Sequence, residues 1–418
     1  MTTNQAEIDV APWNDRLIAT LKEKGAIRSA AAEAAFRRVL RHRLLECYFQ
    51  WQETGWVQRA SDPEQPRPEE LDFIYADQPV ITRTSVYEED TDLKLAAQLF
   101  GVNSEEKDQQ DEQPVFQAPS SSTSQPGLVA AMLEHLALEP GLNVLEIGAG
   151  TGYHAALMAE MVGESGHIVA VDIQADVIEQ TGRLLAKSGY GRIKLLAGDG
   201  FAGAMTDAPY DRIVATVGCP DLSPAWTAQL KSSGFMLIPL AFGGWHPLTK
   251  VWLEEGRLKG RMVGDAGFMV IQGELALKGP WPFAHAVQFP FQGFEELAAF
   301  EPMETKLLRH FYDFIVVRDR RAFWTYNPAY YGLFDKARGV VVVQEDTGTV
   351  LLKGEPGLYA DLQKLYVEWQ ALGKPQRADY ELEFIPLDAP LPPLPENTWL
   401  IERKFYRQLV RLKNDNEA

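Results

Sequence analysis

The stretch from about residue 126 to 278 alternates apolar runs of strand length with segments of helical period, and this order constrains the fold more than any other feature. Asn143–Gly148 (NVLEIG) reads as a buried strand, with a helix following from about Gly152 to Val162. Ile168–Asp172 (IVAVD) repeats the strand and Asp176–Ser188 the helix. Ile193–Leu196, Arg212–Thr216 and Phe235–Leu240 add short apolar strands, with a helix over Pro224–Lys231. Strands separated by helices pair in parallel and bury both faces. The expected fold class is α/β, doubly wound.

The flanks read differently. Leu17, Ile18 and Leu21, then Phe36, Val39, Leu40 and Leu44, recur at helical spacing and predict a helical entry segment from Trp13 to about Gln52. SDPEQPRPEE (61–70) is expected to be an exposed loop. Residues 103–125, polar and nearly free of aliphatics, are expected to be mobile. Beyond Gly279, GVVVVQEDTGTVLL (339–352) predicts a hairpin turning at Asp346-Thr347-Gly348. Leu358–Leu372 predicts a helix, Tyr380–Ile385 a strand, and LDAPLPPLPEN an extended connector. The expected division is a helical entry with a flexible substrate-side insertion over 1–125, a central unit over 126–279, and a small α+β domain over 280–418.

Charge narrows the partners. With 58 Asp+Glu against 40 Lys+Arg the net charge is −18, a field that repels phosphate polymers and anionic membranes. No nucleic acid and no membrane is expected as partner. Cys47 and Cys219 are too few for a disulfide framework or a cysteine zinc site, which fits a reducing compartment. His135, His154, His167 and His246 lack metal-ligand spacing and read as surface or packing residues. No metal is expected. The N-terminal MTTNQAEIDVAPWNDR does not read as a signal peptide, and no apolar run reaches the roughly 18 residues of a spanning helix. A cytoplasmic location is expected.

The chemistry concentrates at Val144-Leu-Glu-Ile-Gly-Ala-Gly-Thr-Gly-Tyr153, between the first predicted strand and its helix. Gly148, Gly150 and Gly152 let a ligand approach the backbone, and the following helix N-terminus offers unpaired N–H groups. A dinucleotide site would place its third glycine where Tyr153 stands, and the lysine of a triphosphate loop is missing. Asp172 ends the next strand, where a carboxylate can accept from a ribose diol. Gly198-Asp199-Gly200 follows the third, placing a carboxylate for an adenine amino group. The plainer alternatives are a helix cap for Asp172 and a turn residue for Asp199.

The G-x-G-x-G loop after an acidic strand resembles motif I of Rossmann-like class I methyltransferases. A narrower resemblance rests on five blocks in order: Ala35-Phe-Arg-Arg-Val-Leu-Arg-His-Arg43, Thr123-Ser-Gln-Pro126, Leu145 to Tyr153, Gly198-Asp-Gly200 with Ala208-Pro-Tyr-Asp211, and Leu230 to Pro239. Together they resemble the protein-L-isoaspartate O-methyltransferase family over roughly residues 30 to 275. The resemblance implies S-adenosylmethionine as cofactor, a peptide or protein substrate bearing Asp or isoAsp, and Ser124 as the catalytic-site serine. From the residues alone, Ser122–Ser124 is a hydroxyl cluster before a helix, an N-cap or a linker. Glu146 binds or orients the amino-acid end of the cofactor, or only anchors the glycine loop.

A carboxylate is ionised at neutral pH and a sulfonium methyl is already activated, so the reaction asks mainly for positioning. The chain departs from repair enzymes in its long link from Tyr75 to Ser121 and its added C-terminal region. The latter, with ALGKPQRADYELEF (371–384), is similar to peptide-modifying relatives that methylate one aspartate, whose ester closes to a succinimide (aspartimide). Three readings follow: an aspartate O-methyltransferase of a ribosomally made peptide, an isoaspartate repair enzyme, and a non-catalytic cofactor-binding scaffold. The run Arg37-Arg38…Arg41-His42-Arg43 reads as a solvated helix face or a guide for acidic peptides. Arg318-Asp-Arg-Arg321 with Phe323, Trp324 and Tyr326 reads as core or a peptide-binding edge.

Overall fold

A computed structural model of the chain describes residues 8–52, 55–87, 116–242, 246–276, 293–297, 305–325 and 330–413. Two helices open it, α1 (Ala11–Glu23) and α2 (Ala30–Arg38), the second capped by the Ser29 hydroxyl on the Ala32 N–H. The helical entry ends there. Arg41–Leu44 makes one 3-10 turn, and Cys47–Gln52 is strand β1, paired antiparallel with β2 (Gly55–Ala60). Aromatic and alternating, CYFQWQ has the chemistry of a pleated surface rather than of a helix. Helix α3 (Pro68–Ile74) begins inside the expected loop, its first turn fixed by the Glu70 carboxylate, which accepts the Arg67 backbone N–H at 3.1 Å and the Arg67 guanidinium at 2.8 Å.

Strand β3 (Val80–Tyr87) pairs with β4 (Phe116–Thr123), completing a four-stranded sheet ordered β2-β1-β3-β4. Residues 116–123 therefore belong to a ladder, against the expectation of mobility over 103–125. Backbone pairing organises a Ser/Thr run that has few apolar side chains to bury. Residues 103–115 lie outside the described residues.

The central region follows the sequence reading closely. Helix α4 (Pro126–Leu136) precedes β5 (Asn143–Ile147), then α5 (Tyr153–Val162), β6 (His167–Asp172), α6 (Ala175–Lys187), β7 (Lys194–Ala197), β8 (Tyr210–Ala215), α7 (Pro224–Gln229) and β9 (Leu230–Pro239). Strands β7-β6-β5-β8-β9 are adjacent and parallel. Leu145, Ile147, Val169 and Val171 face one apolar layer, and Val144, Ile168, Ala170 and Val214 face the other. This is a doubly wound arrangement, with the turn-back in strand order at β5 and β8.

The sheet does not stop at β9. Strands β10 (His246–Glu254) and β11 (Arg257–Ala266) extend it antiparallel. After β12 (Glu295–Leu297), α8 (Thr305–Arg318), β13 (Ala322–Thr325), β14 (Tyr330–Asp335), β15 (Gly339–Gln344), β16 (Val350–Gly354) and α9 (Gly357–Ala371), the chain returns to it. Strand β17 (Tyr380–Pro386) pairs with β11, and β19 (Tyr406–Leu412) and β18 (Thr398–Glu402) follow, giving ten strands. Strands β12 to β16 form a separate five-stranded sheet whose hairpin turns at Gly348, as expected. The region after 279 is thus α+β, yet its last strands complete the central sheet. Phe311, Leu333 and Val341 share one apolar cluster with Leu145 and Ile213.

The Arg318–Arg321 segment is committed internally. Arg318 pairs with Glu368, Arg321 with Asp319 and Asp361, and Phe323 is buried, so the peptide-edge reading keeps only Arg320, which is exposed and donates to the Glu402 carbonyl. Among the described residues no helix is long and apolar enough to cross a membrane.

Candidate active site

After β5 the chain turns sharply into α5, and Gly148, Gly150 and Gly152 take φ of 98°, 48° and 75°. All three are also enclosed, Gly148 by Thr216 Oγ1 at 2.8 Å and Val217 Cγ1 at 2.9 Å from a Cβ position. A Cβ on Gly150 would lie 3.2 Å from the Ser122 carbonyl oxygen, and one on Gly152 would meet Thr181 Cγ2 at 2.8 Å and Leu185 Cδ1 at 2.9 Å. The Thr181 hydroxyl donates to the Gly150 carbonyl at 2.6 Å. The loop is held from below by α6 and covered from above by the end of β4.

Asp172 occupies the carboxyl end of β6. Its Oδ2 accepts the Gly150 N–H and its Oδ1 the Gln174 N–H, both at 3.0 Å. It both caps the approach to α6 and fastens the glycine loop. Gly198 follows β7 and donates its N–H to the Asp172 carbonyl at 2.9 Å. A Cβ there would meet nothing within 4 Å, so open space adjoins Asp172. Asp199 accepts the Phe201 N–H at 2.9 Å, as a turn residue does, and also the Glu274 N–H at 2.7 Å. The segment after β11 therefore reaches the third strand's end. Lys404, from the turn between β18 and β19, donates to the Glu274 carbonyl at 2.7 Å.

Glu146 points into the layer between β5 and α5 and is wholly buried. Its Oε1 lies 2.8 Å from His154 Nδ1, its Oε2 has no partner, and burial pushes its pKa up. It sits beneath the glycine loop. His154, expected as a surface or packing residue, is its buried partner, a relation hinted at by a carboxylate in the strand and a histidine in the first turn of the next helix.

Ser124 lies between β4 and α4. The N-cap of α4 is Gln125, without a side-chain cap bond, and Pro126 starts the helix, so Ser124 is not the cap. The strand leading to it is pinned across the donor side, because Gln174 Nε2 donates to the Ser120 carbonyl at 3.0 Å. Glycine loop, Asp172 and the serine element thus converge. The residue that anchors Ser124 is Arg41, whose Nη2 donates to its carbonyl at 2.8 Å. The basic run divides here: Arg37 and Arg38 are exposed and paired with Asp15, Glu33 and Glu160, while Arg41 and His42 are buried. Nothing local in the sequence sets Arg41 apart, since the carbonyls it binds belong to residues distant in the chain.

Residues 103–274 match the family model described as protein-L-isoaspartate(D-aspartate) O-methyltransferase. The chain is 40% identical over 162 residues to a protein-L-isoaspartate O-methyltransferase of Methanopyrus kandleri, a match spanning 38% of this chain and 70% of that one. It belongs to the protein-L-isoaspartate O-methyltransferase family. A second relative, protein-L-isoaspartate O-methyltransferase 2 of Archaeoglobus fulgidus, is 32% identical over 185 residues, 44% of this chain and 84% of its own. A solved protein-L-isoaspartate O-methyltransferase aligns over 88% of this chain and 96% of its own at a TM-score of 0.48 and 22% identity. As a member of this family the protein is an S-adenosylmethionine-dependent protein carboxyl O-methyltransferase. The residues present fit the cofactor: a left-handed glycine loop, a carboxylate ending the second strand, and open space at Gly198 beside it.

Proposed function

We propose that this methyltransferase esterifies the side-chain carboxylate of an aspartate in a ribosomally made peptide, and that the ester then closes to a succinimide. The observation that carries the reaction is the packing of the serine element on the glycine loop, with the Ser122 carbonyl 3.2 Å from a Gly150 Cβ position. Acceptor and donor sides meet there. In the proposed assignment, the ribose diol falls to Asp172, the adenine amino group to Asp199, and close backbone approach to Gly148, Gly150, Gly152 and Gly198. Glu146 supports the loop from beneath through His154. S-adenosylmethionine supplies a methyl group with a neutral thioether as leaving group. Ser124 donates its hydroxyl to the carboxylate oxygen that does not attack, holding the other oxygen in line. No general base is needed, because the acceptor is already an anion. The backbone N–H after the esterified aspartate then attacks the carbonyl, forming the imide and releasing methanol.

Selection of a peptide is supported by the chain outside the family match, which includes β12 to β19 and two helices. Extra surface is useful where one flexible partner must be ordered. The second reading, repair of isoaspartyl residues, is favoured by the names of the relatives above. Mass spectrometry on two synthetic peptides separates them. Gain of a methyl group followed by loss of methanol on an L-aspartyl precursor is expected. Efficient methylation of a generic isoaspartyl peptide, with none on aspartyl precursors, would establish repair instead, and no methylation of either would leave a binding scaffold.

A further inference from the structure

Arg41 opens the 3-10 turn after α2 and is fully buried. A guanidinium taken out of water ordinarily pairs with a carboxylate. Here its acceptors are five main-chain carbonyls. Nη1 donates to Ile74 at 2.5 Å and Ala76 at 3.3 Å, and Nη2 to Gln78 at 3.0 Å, Thr123 at 3.1 Å and Ser124 at 2.8 Å. Burial pulls its pKa down to about 10, which leaves it a cation at neutral pH. The same guanidinium stands 5.8 Å from the ring centre of Tyr153, the first residue of the helix that follows the glycine loop.

The turn that Arg41 grips also holds the far side of the serine element. Asp77 Oδ1 accepts the Gly127 N–H at 2.7 Å, its carbonyl accepts Gln125 Nε2 at 3.2 Å, and its Oδ2 pairs with Lys24 at 2.6 Å. Residues 123 to 127 are therefore tied before and after Ser124 to one short turn.

We propose that Arg41 is the positioning residue for methyl transfer: by fixing the carbonyls of Thr123 and Ser124 it sets the direction in which the Ser124 hydroxyl donates, with Asp77 clamping the residues just beyond. The proposal rests on the reading of Ser124 given above. Lysine is no substitute, because a compact ammonium cannot serve two turns as a planar five-donor fork does.

A double-mutant cycle on the full chain tests it, using Arg41→Lys, Ser124→Ala and both, with whichever peptide the mass-spectrometric assay finds methylated. Arg41→Lys should lower kcat by about tenfold or more, since small misplacement at the reacting centre is costly. The dissociation constant for S-adenosylhomocysteine should stay within about twofold, and the double variant should be no slower than Ser124→Ala alone. Independent, multiplying losses would overturn the proposal while leaving Ser124 catalytic. An unaffected Ser124→Ala would remove the serine reading and this proposal with it. Hydrogen exchange gives a readout without turnover: Arg41→Lys should raise exchange at 74–78 and 121–127 but not at 167–172. No rise at 121–127, or an equal rise everywhere, would overturn it. Should Arg41→Lys not fold, the cycle between Asp77→Ala and Ser124→Ala decides on the same criterion.

Discussion

Substituting alanine at two neighbouring glycines should separate stability from turnover. Gly150 and Gly152 both have left-handed backbone, at φ 48° and 75°, so alanine at either costs about 1–2 kcal/mol before any contact is counted. The contacts then differ in kind. At Gly152 the new methyl would overlap Thr181 Cγ2 at 2.8 Å and Leu185 Cδ1 at 2.9 Å, both from α6, and such overpacking adds about 1–3 kcal/mol. At Gly150 its neighbour is the Ser122 carbonyl oxygen at 3.2 Å, which β4 can yield by a few tenths of an ångström. That movement carries Ser124 with it. Urea unfolding should rank Gly152→Ala below Gly150→Ala in stability. Initial rates at saturating cofactor, per folded molecule, should rank them in reverse, with Gly150→Ala about tenfold down. Equal turnover in the two variants would refute the claim that the loop and the serine element meet at Gly150.

Three other outcomes are expected. Asp172→Ala, read by calorimetry with S-adenosylhomocysteine, should weaken binding about tenfold to a hundredfold through loss of charge-assisted hydrogen bonds; unchanged affinity in a folded variant would remove Asp172 from the cofactor site. Ser124→Ala should lower kcat while that affinity stays within about twofold, measured side by side. Asp221 is buried, and although its carboxylate accepts the N–H groups of Leu222, Phe405 and Tyr406, burial raises its pKa from 3.8 to about 6. Its stabilising contribution is whole below about pH 3.9 and lost as pH rises through about 6. Relative to Asp221→Asn, the natural protein should therefore lose on the order of 2–3 kcal/mol of unfolding free energy between pH 4 and 7. Parallel stability curves for the two across that range would contradict this.

The parts of the fold legible in the sequence were those in which local period and burial agree. NVLEIG and IVAVD each carry enough apolar side chains to specify a strand, and the glycines between strand and helix announce the turn. Strand β4 escaped because its order comes from the ladder to β3, and no periodicity in a Ser/Thr run reveals a partner. Arg41 read as a surface charge because the carbonyls that satisfy it belong to residues 74–78 and 123–124, which come together only in the fold. Asp199 was legible as a residue at a strand end. Its bond to the Glu274 N–H was not, since that depends on where the chain returns after β11.

The pairing of β11 with β17 has a practical consequence for anyone who wishes to trim the protein. Leu258, Lys259 and Gly260 stand opposite Phe384, Glu383 and Leu382. A fragment ending where the sequence pattern changes, near Gly279, would leave that edge of β11 bare. It would also uncover the apolar side chains that Tyr380, Leu382 and Phe384 share with Leu258. An unpaired strand beside fresh apolar surface is a template for other copies to join. Aggregation of such a fragment would report the bare edge, and its inactivity would say nothing about peptide recognition.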